Sequence, residues 1–486
     1  MKQMPWLGLM LVLSTWSVAH AQQPAYLEMD VVAEDLTVPW DLVWGPDNHI
    51  WCLEKTGRLS RINPDTKESE TVYEIPDVYQ SWDNSGAHSM ILHPNFPLSP
   101  YIYVNYTYEL YSGRLSRLTF SMDTESVVDT TILIRKLPGN TSHNGSRMVA
   151  GPDGHLYLST GEAFVEHIAQ DISSLGGKVL RMDWDGQAVP DNPFGNYVYS
   201  LGHRNPQGLV FSPHGLLYSS EHGAGTDDEV NLVEKGVNYG WPQVEGFCDQ
   251  PDETTPCQEL EVKEPLAAWS PTLAPCGLEY FNHGSIPEWQ HSLLLVFLKK
   301  QQMRVLHLSE DGNSVLSEDV CFEQELGRLR DVLVSPNGRV FLATSNREIN
   351  GWDFLAQEED DRIIELRNPT WSYGDDHSPK DLWEVLRDLV LATTSIEDGV
   401  LTEEGVLFPQ PASSSVAMIL PEDAERAEVH VYDASGRQVW QQENLTMIEP
   451  GLLHLNINHL HNGMYVVRVQ TDLGTQFAEP LLVQRR

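Results

Sequence analysis

GPDNHIWCLEKTGRLSRI (45–62), GPDGHLYLSTGE (151–162), SPHGLLYSSEHG (212–223) and SPNGRVFLATSNRE (335–348) are four versions of one pattern. Each opens on a small residue, then Pro, then Asp, His or Asn, then Gly or Asn. Proline presets the backbone for a reversal, and Gly or Asn accepts the left-handed conformation that completes it. The residues that follow alternate apolar and polar with the period of a half-buried strand. In the first and last copies a second strand follows, GRLSRI (57–62) and DRIIEL (361–366). Turn–strand units repeated without helical periodicity predict an all-β chain built as a β-propeller, whose units must stack to bury a shared core. Four copies do not fill residues 28–368, so the remaining units must have diverged from the pattern.

Outward from that region the pattern changes. Residues 369–408 lose the alternation and read as a linker, with KDLWEVLRDLV (380–390) the best helical stretch in the chain. From 409 to 486, AEVHVYDASGRQVWQQ (427–442) and LLHLNINHLHNGMYVVRVQT (452–471) alternate around short turns, which predicts a small antiparallel β-sandwich. At the other end, Lys2 precedes the apolar run WLGLMLVL (6–13) and Ala19-His20-Ala21 offers small residues for cleavage. Residues 1–21 therefore read as a signal peptide, and the run is too short to span a bilayer.

The 486-residue chain holds 70 Asp and Glu against 31 Lys and Arg, a formal net charge of −39. Such a surface repels nucleic acid and anionic lipid. A hydrophobic content of 41% and 14 tryptophans argue for a substantial core. Of five cysteines, Cys248 and Cys257 bracket the acidic loop DQPDETTP (249–256), which an exported chain can staple by oxidation. One of the five has no partner within the chain.

Polar clusters stand at the ends of the repeat strands: SHNGSR (142–147), LGHRNPQGL (201–209), EHGAGTDDEVNLVEKGVNYGWP (221–242), FLKK (297–300) and GRLRDV (327–332). Taken singly each has an ordinary reading. Arg204 has many acids to pair with, His143 suits a turn, Lys299 and Lys300 solvate a strand end, and Asp227-Asp228-Glu229 is surface charge. Together, Arg204, Lys299, Arg328 and Arg330 make a cationic cluster in a net-negative chain. Planar guanidinium groups pair bidentately with carboxylates, so the cluster suits a buried polycarboxylate ligand. The neighbouring acids and carbonyls suit Ca²⁺, which prefers oxygen.

The run LGHRNPQGL through NYGWP (201–242) resembles the signature of the glucose/sorbosone dehydrogenases, six-bladed propellers also known as PQQ-dependent aldose sugar dehydrogenases. The likeness extends from PWDLVWGPDNHIW (39–51) through HPNF (93–96) and LGGKVLRMDWDG (175–186) to GRLRDV and DRIIEL, roughly residues 30–368. The resemblance implies oxidation of an aldose at C1 to its lactone, with hydride transfer to a calcium-bound quinone. It places the general base at His143 and its partner at the quinone carbonyl at Arg204, with Asn205 beside it. Contacts to the cofactor carboxylates fall on Lys299, Arg328 and Arg330. Backbone carbonyls of Gly223 and Ala224 would bind the cofactor's calcium, and Glu229, Tyr239 and Asp249 a second, structural one.

The chain departs from the family pattern at GAHSMILHP (86–94), where Gly-Leu-Leu-Gly is common, and at Ser85, near the place of a cofactor-contacting glutamine. Ser142 stands for an acid, His222 for a glutamine and Ala224 for a proline. Residues 409–486 resemble the sorting domains of the type IX secretion system, which implies the secretion machinery as a partner and a secreted or cell-surface location. The physiological electron acceptor is not implied. Two other functions fit a propeller: a non-catalytic module binding a glycan or protein, which needs no basic cluster, and a calcium-dependent lactonase, which needs carboxylates converging on one metal.

Overall fold

The computed structural model describes residues 23–81, 84–97, 99–347 and 359–373, with most of the strands between 407 and 483. The expected signal peptide, the helix over 380–390 and the turns at 434–437 and 461–462 lie outside the described residues. Between Glu28 and Arg367 the described strands form six antiparallel four-stranded sheets. Their first strands are Pro39–Trp44, Ala87–Leu92, Gly145–Ala150, Pro206–Phe211, Pro275–Phe281 and Leu329–Val334. Each packs against the first strand of the next sheet, and the last returns to the first. This all-β arrangement is consistent with a propeller. The sixth sheet is completed by the N-terminal strand Glu28–Ala33, which pairs with Ile363–Arg367 in the register Glu28↔Arg367 and Val31↔Ile364.

The repeated turn is where the sequence places it. Gly154, Gly215 and Gly338 all sit near φ +80°, and Asn48 fills the same position at φ 58°. Their amides donate to Gly151, Ser212, Ser335 and Gly45, and the strands resume at once. These four turns join the first two strands of the first, third, fourth and sixth sheets. The second and fifth sheets use longer connections at the same place, residues 93–100 and 282–291, which is why only four copies of the pattern are legible.

The core lies between neighbouring sheets rather than in one central mass. Trp51, Phe96 and Phe120 interlock edge-on or tilted at 5.5 Å between the first and second sheets. Cys248 and Cys257 are bonded, as the spacing suggests, while Cys52, Cys276 and Cys321 are buried free thiols. C-terminally, strands Leu407–Phe408, Ser415–Ile419 and Leu452–Asn456 form one sheet. Four more form another, with Arg426–Asp433 and Gly463–Thr471 central. Met418 and Leu453 of one share a core with Val429 and Val467 of the other.

Candidate functional site

Every first strand carries one extra residue near its start, so the ladder skips a position there. The skipped residues are Trp40, His88, Ser146-Arg147, Gln207, Cys276-Gly277 and Arg330. A bulge frees a side chain from alternation and re-aims it, and Trp40, His88, Gln207, Cys276 and Arg330 come together in one layer. Arg330, 1% exposed, lies with its guanidinium 3.9 Å over the Trp40 ring, whose other neighbour is the His88 ring at 5.1 Å. Arg330 donates to Cys276 Sγ at 3.5 Å, and that thiol faces Gln207 Oε1 at 3.7 Å. Gln207 in turn donates to the Gly145 carbonyl and to Asn205 Oδ1, at 3.2 and 3.1 Å.

This layer floors a pocket whose lining adds Asn84, Ser142, His143, Leu298 and Arg328. His143 holds a left-handed backbone, φ 57°, at the turn into Gly145–Ala150. Its Nδ1 lies 2.8 Å from Glu162 Oε1, and Arg204 donates to its Nε2 at 3.2 Å. With Nδ1–H donated to the carboxylate, Nε2 carries the lone pair, and it faces the site. The His143 side chain is 14% exposed and Glu162 1%. A base oriented by a buried carboxylate is the arrangement general-base catalysis requires.

Arg204 and Asn205 are held by Glu221, which accepts both of their backbone amides. The same carboxylate binds His203 at 3.0 Å, and His203 is closed in by Ser200 and stacked on Tyr239. The His-Arg-Asn turn is therefore rigid from behind. Arg204 donates to the His222 carbonyl at 3.1 Å and lies 5.1 Å over Trp241. Burial pushes its guanidinium below the usual range, partly offset by Glu162 and Glu221. Its Nε and the His222 Nε2 are buried without a hydrogen-bond partner. Burial, then Arg204 and Arg330, push His222 down to about 3, so its imidazole is neutral.

Arg328 lines the pocket, donating from Nε to the Ser345 carbonyl at 3.2 Å. Lys299 does not line it. It is exposed, bonded to Thr272 Oγ1 at 2.8 Å, and is the chain neighbour of Leu298, which does. Ser85 is fully buried and spends its hydroxyl on Ser81, so the adjacent Asn84 reaches the pocket and bonds Ser142 at 3.1 Å. Gly223, Glu229 and Tyr239 line a separate small cavity behind Arg204, together with Glu221, Asp227 and Glu245. Burial and Glu221 push Glu229 up to about 8. Asp249 is exposed and bonded to Gln250 at 2.6 Å, and Ala224 is also exposed; neither lines that cavity. Among the described residues no three His, Cys, Asp or Glu side chains converge as a metal site, so main-chain carbonyls would have to supply much of any calcium coordination.

Spacing alone did not single out Glu162, although it ends the quoted GPDGHLYLSTGE. Nor did it single out Trp40, His88, Gln207 and Cys276. Their shared signal is the strand start, PWD, AHS, PQG and PCG, where each precedes the resumption of pairing. PQQ, a tricarboxylate quinone, fits what is present: two arginines, amide and imidazole donors, two buried unpartnered nitrogens nearby, and no Asp or Glu in the described lining.

Residues 36–351 match the family model for glucose/sorbosone dehydrogenases, and residues 406–484 that for secretion system C-terminal sorting domains. Quinoprotein glucose dehydrogenase B of Acinetobacter calcoaceticus is 28% identical, over 70% of this chain and 88% of its own. An aldose sugar dehydrogenase of Escherichia coli is 29% identical, over 66% and 91%. The PQQ-bound aldose sugar dehydrogenase of Streptomyces coelicolor superposes with a TM-score of 0.62 at 32% identity, over 71% of this chain and 99% of that structure. The sorting domain indicates export. All six bulged strand starts and the whole pocket lining fall inside the first match, and the chain belongs to the glucose/sorbosone dehydrogenase family.

Proposed function

We propose that this protein is an exported PQQ- and calcium-dependent dehydrogenase that oxidises aldoses at C1 to lactones. In this reading residues 28–368 are a six-bladed propeller and 369–408 a linker. Residues 409–486 are a β-sandwich sorting domain, and a signal peptide over 1–21 precedes the whole. One observation carries it. In a chain of net charge −39, the pocket beside His143 is lined by Arg328 and Arg330 and by no described carboxylate. Two guanidiniums facing one pocket can pair bidentately with carboxylates, which a tricarboxylate cofactor supplies.

Arg328, Arg330 and Asn205 would hold the cofactor's carboxylates and carbonyls, with Lys299 at the rim. When bound, PQQ supplies the electron-poor quinone that accepts hydride from C1. His143 takes the proton of the anomeric hydroxyl at Nε2, while Glu162 holds the ring and steadies the imidazolium that results. Arg204, beside Nε2, favours negative charge on the oxygen losing that proton. The Gly223 and Ala224 carbonyls are assigned to the cofactor's Ca²⁺. For a second Ca²⁺ we keep Glu229 and Tyr239, and assign Glu245, which shares their cavity, in place of the exposed Asp249.

The test is dye reduction by the purified protein with PQQ and Ca²⁺ across a panel of aldoses, alongside a direct PQQ titration. Turnover should require both additions, and Arg330→Ala should weaken PQQ binding at least tenfold, because a charge-assisted hydrogen bond contributes roughly 1.5–3 kcal/mol. Failure of the wild type to bind PQQ at micromolar concentration would overturn the reading.

A further inference from the structure

Beside the pocket the chain exposes apolar side chains that the reaction above leaves unused. The first strand of each sheet starts at the pocket and the second returns to it. The connection from second to third strand therefore lies on the pocket's side of the ring. In the second sheet it is the hairpin tip between Tyr101–Glu109 and Ser112–Ser121, which carries Leu110 and Tyr111, the latter 63% exposed. In the third sheet it runs from Leu156–Thr160 to Lys178–Met182 and carries the exposed Phe164, Val165 and Ile172. Five of the eleven large apolar side chains exposed among the described residues thus stand on these two connections, which makes them one concentration rather than scatter. The connections adjoin: Ser112 pairs with Pro138, and two residues on, Asn140 Nδ2 donates to the Ala163 carbonyl at 2.9 Å. Phe164 ties the patch to the site, with one ring face set against the His143 imidazole, centroids 4.0 Å apart, and the ring still 52% exposed.

The margin of this patch is acidic. Glu109, Glu166 and Asp171 are exposed on the same two connections, and residues 161–177 contain no Lys or Arg. Arg114, at the foot of the hairpin, is spent on Asp77 at 2.8 Å and on the Tyr108 ring. The basic residues near the mouth, Lys299 and Lys300, stand on the corresponding connection of the fifth sheet. An apolar centre with an acidic margin, in a chain of net charge −39, repels anionic lipid and nucleic acid and suits a protein whose own margin is basic. The proposed reaction supplies the need for one. Each aldose oxidised leaves two electrons and two protons to be removed before the next turnover. The layer of Trp40, Cys276, Gln207 and Arg330 closes the pocket from below, so an acceptor approaches at the mouth.

We propose that the connections of the second and third sheets form the docking surface for the electron acceptor, a small basic haem protein that carries one electron. Two ferric carriers dock in turn per aldose oxidised, each leaving ferrous, and the two protons pass to water at the mouth. The proposal rests on the sugar-oxidising reading, and its test separates the two. Full-length protein loaded with PQQ and Ca²⁺ is given an aldose and either an artificial dye or ferric mitochondrial cytochrome c as the probe. Wild type should reduce both. Only the cytochrome c rate should fall steeply with salt, by roughly tenfold between about 10 and 150 mM, because steering between opposite charges is screened. Glu109→Lys with Glu166→Lys, and separately Tyr111→Ser with Ile172→Ser, should slow cytochrome c reduction roughly tenfold or more. Dye reduction and PQQ affinity should stay within about twofold, since all four side chains are exposed and outside the pocket. Dye reduction without cytochrome c reduction, or equal cytochrome c rates in wild type and both variants, overturns the docking surface and leaves the dehydrogenase reading standing. Reduction of neither acceptor with any aldose overturns both.

Discussion

Glu162 shows how much of the chemistry hangs on one carboxylate. One oxygen receives His143 Nδ1–H at 2.8 Å and the other pins the backbone of Phe164, so the base and the loop after Glu162 move together. Glu162→Gln keeps the size and one acceptor but removes the charge that stabilises a protonated His143. We expect kcat to fall by about 10²-fold or more, within the range for a positioned base, while PQQ binding stays within about twofold. A fall in PQQ affinity matching the fall in rate would mean that Glu162 builds the pocket rather than serving His143. Arg204 differs, because its guanidinium touches both His143 and the His222 carbonyl, and its loss should lower affinity and rate together.

At the scale of single elements, the one-turn 3-10 helix Glu166–Ala169 is anchored from below by Lys178, which opens the strand Lys178–Met182. The fully buried ammonium donates to the carbonyls of Ile168, Ala169 and Gly176 at 2.7, 2.9 and 2.7 Å. Burial pushes it down to about 7, but three carbonyl acceptors saturate and favour the charged form. Lys178→Met strands those acceptors and should cost about 3 kcal/mol in urea unfolding. Turnover should fall as well, since the loop that follows Glu162, the carboxylate on His143, runs directly into this turn. An unchanged urea midpoint would show that the turn is held by other contacts. The elements were legible where a local signal exists: the Pro-x-Gly turns needed only their own four residues and the alternation after them. Where a sheet replaced that turn with a longer connection, as at 93–100 and 282–291, nothing local announced another copy. The pocket was legible as charge, through Arg328, Arg330 and the His-Arg-Asn turn. Its floor was not, because one skipped residue per strand alters register without altering composition. Asp249 and Lys299 sat at the expected spacing, yet both are exposed, since spacing does not report which way a loop residue turns.

For the whole molecule, closure of the ring is a long-range matter. The last sheet lacks its outer strand until Glu28–Ala33 pairs with Ile363–Arg367, more than three hundred residues away in sequence. Deleting residues 23–33 should expose a bare strand edge and give aggregation, whereas truncation after residue 373 should leave PQQ binding intact. Equal solubility of the two truncations would count against closure by this strand. Closure also creates an axis, because the first strands of all sheets line a cavity below the pocket floor. There Arg147 is buried between Asp41 and Asp331, the latter at 3.1 Å, and Asp41 also accepts from Ser89 at 2.7 Å. Glu279 lines the same cavity. Burial, then the charge of Asp331, push the Glu279 carboxyl up from its ordinary 4.5 to about 8. The folded protein therefore keeps a proton that the unfolded chain releases near its ordinary value. The favourable contribution is complete below about pH 4.5 and is lost as pH rises toward 8. Glu279→Gln cannot ionise, so its stability relative to wild type should improve between pH 5 and pH 8, by about 1.4 kcal/mol for each pH unit by which the carboxyl is raised. Urea midpoints at the two values decide it: a gap that widens with pH places an ionising carboxyl on the axis, and parallel behaviour means that Asp41, Arg147 and Asp331 already absorb its charge.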